Sequence, residues 1–227
     1  MKKIIISSVL VGLIALGVVA QKGTKEPKIP AKKAMKSMSK SLTAVNTALS
    51  LIRYGYDNNC ATCLVSAADI LSKNPTSPLK YEKLVQGKGS ETKKTDKKAT
   101  TDVKTLLNDA VAMDKTVSTI ASTVVVPESS RGAVSGPRTA TGKVAANSQL
   151  YYDIRFYENE TATVAVVGDG DTDLDLYVYD LNGNLITKDD GPSDRPVVSF
   201  VPYYRTTFRI YVTNRGSIYN RYALATN

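Results

Sequence analysis

Four carboxylates fall within eight residues in the run Gly168-Asp169-Gly170-Asp171-Thr172-Asp173-Leu174-Asp175. Asp171, Asp173 and Asp175 alternate, so on an extended chain they share one face. Like charges held that close repel, and a bound hard cation relieves the repulsion. Calcium suits the donors, because it takes oxygen ligands and needs neither nitrogen nor sulfur. The expectation is a calcium-stabilised site with Asp171, Asp173 and Asp175 as first ligands and Asp169 and Asp190 behind them. It is not an EF-hand, since Leu174 stands where the loop glycine belongs and Asp180 where the final glutamate belongs. The alternative is a solvated strand entry, its aspartates capping turns and pairing with arginines such as Arg209 or Arg215.

The chain has no histidine among its 227 residues. That removes Ser-His-Asp and Cys-His nucleophile systems and His-ligated zinc hydrolases, and leaves ligand chemistry mainly to oxygen. Paired carboxylates could still serve a hydrolase, but these acids crowd into one short run with no second acidic group across an aromatic cleft. The expectation is therefore a non-catalytic protein. The two cysteines form Cys60-Ala61-Thr62-Cys63 at the start of a predicted helix. A local disulfide is the simplest state in an oxidising compartment; an envelope redox site or a zinc site needing further ligands are the other readings. Tyrosine supplies the remaining chemistry. Tyr177, Tyr179 and Tyr211 are predicted to point away from the core and are candidates for stacking on sugar rings, although cross-strand tyrosines also stabilise sheets.

The elements that position these residues follow from periodicity. Leu150, Tyr152, Ile154 and Phe156 alternate with polar and aromatic residues, as do Ala162, Val164 and Val166, then Leu174, Leu176 and Val178, then Phe208, Ile210 and Val212. Further strands are predicted near Pro196 to Val201 and Tyr219 to Ala225, with a hairpin turn at Asn182-Gly183. About eight short strands make an antiparallel β-sandwich over 140–227.

The first half has a helical period. Met35, Met38, Leu42, Val45, Leu49 and Ile52 form one stripe, closed by Gly55. A second helix runs from Cys60 to Lys73 and stops at Asn74-Pro75. A third starts at the Thr101-Asp102 cap and carries Val103, Leu106, Ala110, Met113, Val117, Ile120 and Val124. The fold class is thus α+β, a small helical hairpin or three-helix domain over 34–126, a linker at 127–139, then the sandwich.

Charge divides along the same line. Residues 21–126 carry 18 Lys+Arg against 9 Asp+Glu, and 127–227 carry 10 against 12. The segment 21–33 and the lysine-rich loop 87–100 are expected to be flexible and solvated. Weak contact with an anionic envelope surface fits this lysine. Nucleic acid does not fit it, since arginine and interleaved aromatics are nearly absent. Met1-Lys2-Lys3, the apolar run Ile4 to Val19 and the small residues Val18-Val19-Ala20 read as an export signal cleaved after Ala20, with an uncleaved membrane anchor as the alternative. The expected location is secreted or periplasmic, and the expected partner an envelope or extracellular protein or polymer.

Two resemblances sit on these residues. Gly168 to Tyr179, the turn Asn182-Gly183-Asn184 and the closing Phe208-Arg209-Ile210-Tyr211-Val212-Thr213-Asn214 resemble the bacterial pre-peptidase C-terminal domain over roughly Ala140 to Asn227. This implies a jelly-roll-like sandwich acting as a secreted, non-catalytic accessory module, calcium-binding in some members and polymer-binding in others. No peptidase domain precedes it here. Leu51-Ile52-Arg53-Tyr54-Gly55 with Leu64 to Leu71 is similar to the paired helices of a tetratricopeptide repeat.

Overall fold

The computed structural model describes residues 29–80, 83–85, 98, 100–127 and 136–227. The predicted export signal, most of the lysine-rich loop and residues 128–135 of the predicted linker lie outside the described residues.

Helix α1 spans Lys40–Asn58, later than the stripe beginning at Met35, which is solvent-exposed. It starts where Ser39 can cap it, the Ser39 Oγ accepting the Leu42 N–H at 3.2 Å. Leu42, Val45, Leu49 and Ile52 form its buried face. The helix does not close at Gly55. It runs one turn further to Asn59, which takes the left-handed conformation (φ 51°) and donates its N–H to the Gly55 carbonyl. Gly55 instead makes room for the neighbouring helix, since a Cβ there would lie 2.5 Å from Cδ2 of Leu64. Helix α2 (Ala61–Lys73) packs back along α1 through Leu64, Ala67, Ala68 and Leu71.

Helix α3 (Val103–Met113) is capped by Asp102, whose carboxylate accepts the Thr105 N–H at 2.8 Å. The predicted continuation through Val124 breaks at Asp114. That residue is extended, and its side chain accepts both the N–H and the hydroxyl of Thr116. A short aspartate competes with the helix for its own backbone donors and starts a new cap. A 3-10 turn at Lys115–Val117 and helix α4 (Ser118–Ala121) follow, with Val117, Ala121 and Val124 still buried.

The strands are β1 (Ala31–Lys33), β2 (Ser77–Pro78), β3 (Lys83–Val85), β4 (Arg138–Val144), β5 (Ser148–Phe156), β6 (Ala162–Gly168), β7 (Leu174–Asp180), β8 (Leu185–Asp189), β9 (Val197–Pro202), β10 (Thr206–Asn214) and β11 (Asn220–Thr226). They form a six-stranded sheet ordered β1-β9-β6-β11-β4-β2 and a five-stranded sheet ordered β3-β5-β10-β7-β8. Every pairing is antiparallel except the short β2–β4 contact. The sandwich thus draws strands from both halves of the chain. Ala31–Lys33, expected to be flexible, pairs with β9, and Arg138–Thr139, expected in the linker, already belongs to β4.

Between the sheets lie Leu150, Ile154, Phe156, Leu176, Phe200, Phe208 and Ile210, with Tyr152 and Tyr222 sharing a hydroxyl–hydroxyl bond of 2.7 Å inside the core. Every residue of β6 is buried. Its inward alternation is the predicted one, but Val167, with Ala225 of β11, packs into the helical core instead. Three layers result: helices, six-stranded sheet, five-stranded sheet.

Candidate functional site

The Asp169–Asp175 run is a turn, not an extended strand, until Leu174. Gly170 has φ +84°, and its N–H donates to Asp194 Oδ2 at 2.7 Å. A Cβ on Gly170 would also meet the Arg53 guanidinium at 2.3 Å. Asp169 is buried and caps the turn, accepting the N–H groups of Asp171 (3.1 Å) and Arg221 (2.8 Å). Asn220 closes the other side, donating to the Thr172 carbonyl at 2.9 Å. Asp194 receives both hydrogen bonds of Arg53 at 2.8 Å, tying the turn to α1.

Asp175 is on β7, almost fully buried, and pairs with Arg215; Tyr177 donates to the same carboxylate at 3.1 Å. Arg215 also donates to the Tyr177 hydroxyl at 2.7 Å. Asp175 holds the Arg215 guanidinium above its ordinary range, while burial pushes the Tyr177 phenol up. Asp190 is exposed and pairs with Lys188, which holds its carboxyl below the usual range. Asp173 differs. Its Oδ1 is buried without a hydrogen-bond partner, and desolvation, followed by the charge of Asp175, pushes its carboxyl up.

Calcium needs six to eight oxygens converging on one point. Among the described residues no three acidic side chains converge that way. Asp169 is spent on backbone N–H groups, Asp175 on Arg215 and Asp190 on Lys188. The extended run expected of Asp171, Asp173 and Asp175 does not form, because Asp171 lies in the bend at 170–172 and only Asp175 of the three is on β7, which begins at Leu174. Among the described residues the five carboxylates are thus not gathered around one point. Arg215 takes the arginine role named in the alternative reading, whereas Arg209 is engaged elsewhere. Cys60 and Cys63 are joined by a disulfide across the first turn of α2.

Among the described residues the helices pack on the six-stranded sheet, and no described helix covers the outer face of the five-stranded sheet. Tyr211 of β10 lies directly between Tyr151 of β5 and Tyr177 of β7, and Arg209 lies between Asp153 and Tyr179. Alternation on three adjacent strands thus delivers a block of rings and guanidinium. Tyr151 and Tyr179 approach Tyr211 with ring centroids at 5.5 and 5.7 Å, the second pair edge to face. Arg209 forks onto Asp153 at 2.8 and 2.7 Å and stacks over the Tyr151 ring at 4.2 Å. Tyr177, Tyr179 and Tyr211 together line a groove of about 570 Å³, with Arg209, Arg215 and the β7–β8 hairpin tip at Leu181 and Gly183. Gly183 sits at φ +86° in that hairpin. Asp180, at its base, is buried and accepts the N–H groups of Asn182 and Asn184.

No family model matches the chain, and no curated protein does. Solved structures do. The chain is similar to the pre-peptidase C-terminal domain of a collagenase from Bacillus anthracis. The identity is 10%, the coverage 39% of this chain and 87% of that one, and the TM-score 0.35. It is also similar to PliG of Aeromonas hydrophila, a periplasmic inhibitor of g-type lysozyme (15%, 40% and 84%, 0.32). A third likeness is to a carbohydrate-binding module of Cellvibrio mixtus lichenase 5A in complex with cellotriose (11%, 41% and 87%, 0.27).

Period two puts Arg209 and Tyr211 on one face, but Gln149, Arg215 and Leu181 join the groove through strand register and turn geometry, which one sequence does not display. No helix among the described residues is long and apolar enough to cross a membrane.

Proposed function

We propose that the chain is an exported, non-catalytic binding protein that holds an extracellular polysaccharide against the tyrosine face of its five-stranded sheet. One observation carries this reading: Tyr177, Tyr179 and Tyr211 meet in a single open groove, flanked by two guanidinium groups. A sugar ring presents an apolar C–H face and a polar rim. Tyrosine rings supply the matching flat apolar surface, and the guanidinium and phenol groups supply donors for the rim. The rings already brace one another, so little side-chain freedom remains to be lost on binding.

Arg209 and Arg215 each hold a carboxylate, so the groove recognises hydroxyls without a strong charge of its own. The same pairing counts against hydrolysis here, since Asp180 of the groove lining is buried and accepts backbone N–H groups, and Asp175 and Asp153 are each bound to an arginine of the groove. The basic, apolar start of the sequence supports export.

Affinity electrophoresis against a panel of soluble polysaccharides, followed by calorimetry on any that retard the protein, tests the reading. Tyr211→Ala is expected to weaken binding about tenfold or more, as removal of a central aromatic anchor does. Its melting temperature reports whether the fold survives. Binding by a folded Tyr211→Ala variant at the parent affinity would overturn the proposal.

A further inference from the structure

At one end of the sandwich, where β5 finishes and β4, β6 and β10 begin, lies a second groove of about 810 Å³. Arg138, Arg155 and Arg205 line it, together with one acidic side chain, Glu160. None of the three guanidiniums has a carboxylate partner among the described residues. The contrast is with Arg53, Arg209 and Arg215, each of which holds one. Arg205 is held over the Tyr157 ring at 4.7 Å, which fixes its direction without neutralising it. Ser39, the N-cap of α1, and Ser41 in its first turn also line the groove and place the positive end of a 19-residue helix there. Arg138 is half-buried, and burial with no compensating anion pushes its guanidinium below its ordinary range. A bound anion would remove that cost.

The two grooves share a strand. Tyr151, Asp153 and Arg155 are alternate residues of β5 on the open face, and Arg155 stands one step, about 7 Å, beyond Asp153. A sugar chain lying on the tyrosines and running along β5 meets Arg155 about 14 Å beyond Tyr151, roughly three sugar residues on. Resting on the tyrosine-face reading above, we infer that this end groove is an anionic subsite that selects polysaccharides bearing carboxylate groups.

The test compares polygalacturonate with its fully methyl-esterified form, whose backbone is the same and whose charge is gone. The full-length protein is expected to bind the acidic polymer about tenfold more tightly, with the difference shrinking as salt rises. A triple variant carrying R138Q, R155Q and R205Q should lose that preference while still binding the ester. The charge-keeping variant carrying R138K, R155K and R205K should recover much of it, which separates charge from misfolding. Tyr211→Ala should weaken both polymers. If the glutamine variant keeps the preference for the acidic form, the subsite is overturned and the tyrosine reading stands. If the parent binds neither polymer nor any other polysaccharide, both fall. Binding of single-stranded DNA as tightly as polygalacturonate, through the same arginines, would overturn the assignment to a polysaccharide.

Discussion

Asp173 is the carboxylate of the acidic run whose charge the fold opposes, its Oδ1 buried and without a hydrogen bond beside Asp175. Its native-state pKa is raised, so the folded protein keeps this proton longer than the unfolded chain does. Stability therefore falls as pH climbs from the unfolded aspartate value near 3.9 through the raised native value, and the deficit persists above it. Asp173→Asn removes the deficit and should raise the melting temperature at pH 7 by about 2 °C, with no difference at pH 3. Thermal melts at both pH values check this, and a lower melting temperature at pH 7 would mean that the charge is needed. Calcium provides a linked test. The other acids are already satisfied from within, so millimolar calcium and chelator should give the same melting curve, whereas an ion held by the native state must raise it. The spacing of the aspartates was legible in the sequence. So was Arg215 as a partner; the Arg221 N–H on Asp169 and the Arg53–Asp194 pair beside the run were not, because those residues come from elements that only the folded chain brings there.

Helices show where local pattern suffices and where it fails. The buried stripes of α1 and α2 and the Asp102 cap follow directly from the 3.6 period and capping chemistry. The break at Asp114 does not show in the apolar spacing, because Val117 and Val124 remain buried after the chain turns. Gly55 resembles a terminator in sequence and acts as a spacer in the fold. In an exposed helix Gly→Ala would stabilise by about 1 kcal/mol. Here the new methyl would press on Leu64, itself fully buried, and overpacking of that kind costs about 1–3 kcal/mol. Gly55→Ala is thus expected to lower stability by about 1 kcal/mol in urea titration. A gain would show that Leu64 can swing aside.

At the scale of the whole molecule, the shift in charge and aromatic content at residue 127 suggests two separable domains, yet the strands are interleaved. β1, β2 and β3 are two or three residues long, too short for any periodicity to announce them, and their contribution is backbone pairing at sheet edges. The Arg53–Asp194 pair fastens the helical layer to the acidic turn across 141 residues of sequence. Arg53→Met leaves Asp194 partly buried with only the Gly170 N–H, and should cost about 2 kcal/mol. Equilibrium unfolding measures it, and a change under about 0.5 kcal/mol would place this pair among ordinary surface ion pairs. Cutting the chain at the composition boundary is the more severe test. A fragment of residues 136–227 retains eight strands but uncovers Val167, Ala223 and Ala225, which now pack on the helices. It also frees the edges of β4, β5 and β9 that β2, β3 and β1 occupy. Exposed apolar face and open edges are the two conditions for strand-to-strand aggregation. The fragment is expected to run as oligomers or precipitate in size-exclusion chromatography, and to become monodisperse when residues 29–127 are co-expressed with it. A soluble, cooperatively melting monomer would instead show that the sandwich folds without its helical cover.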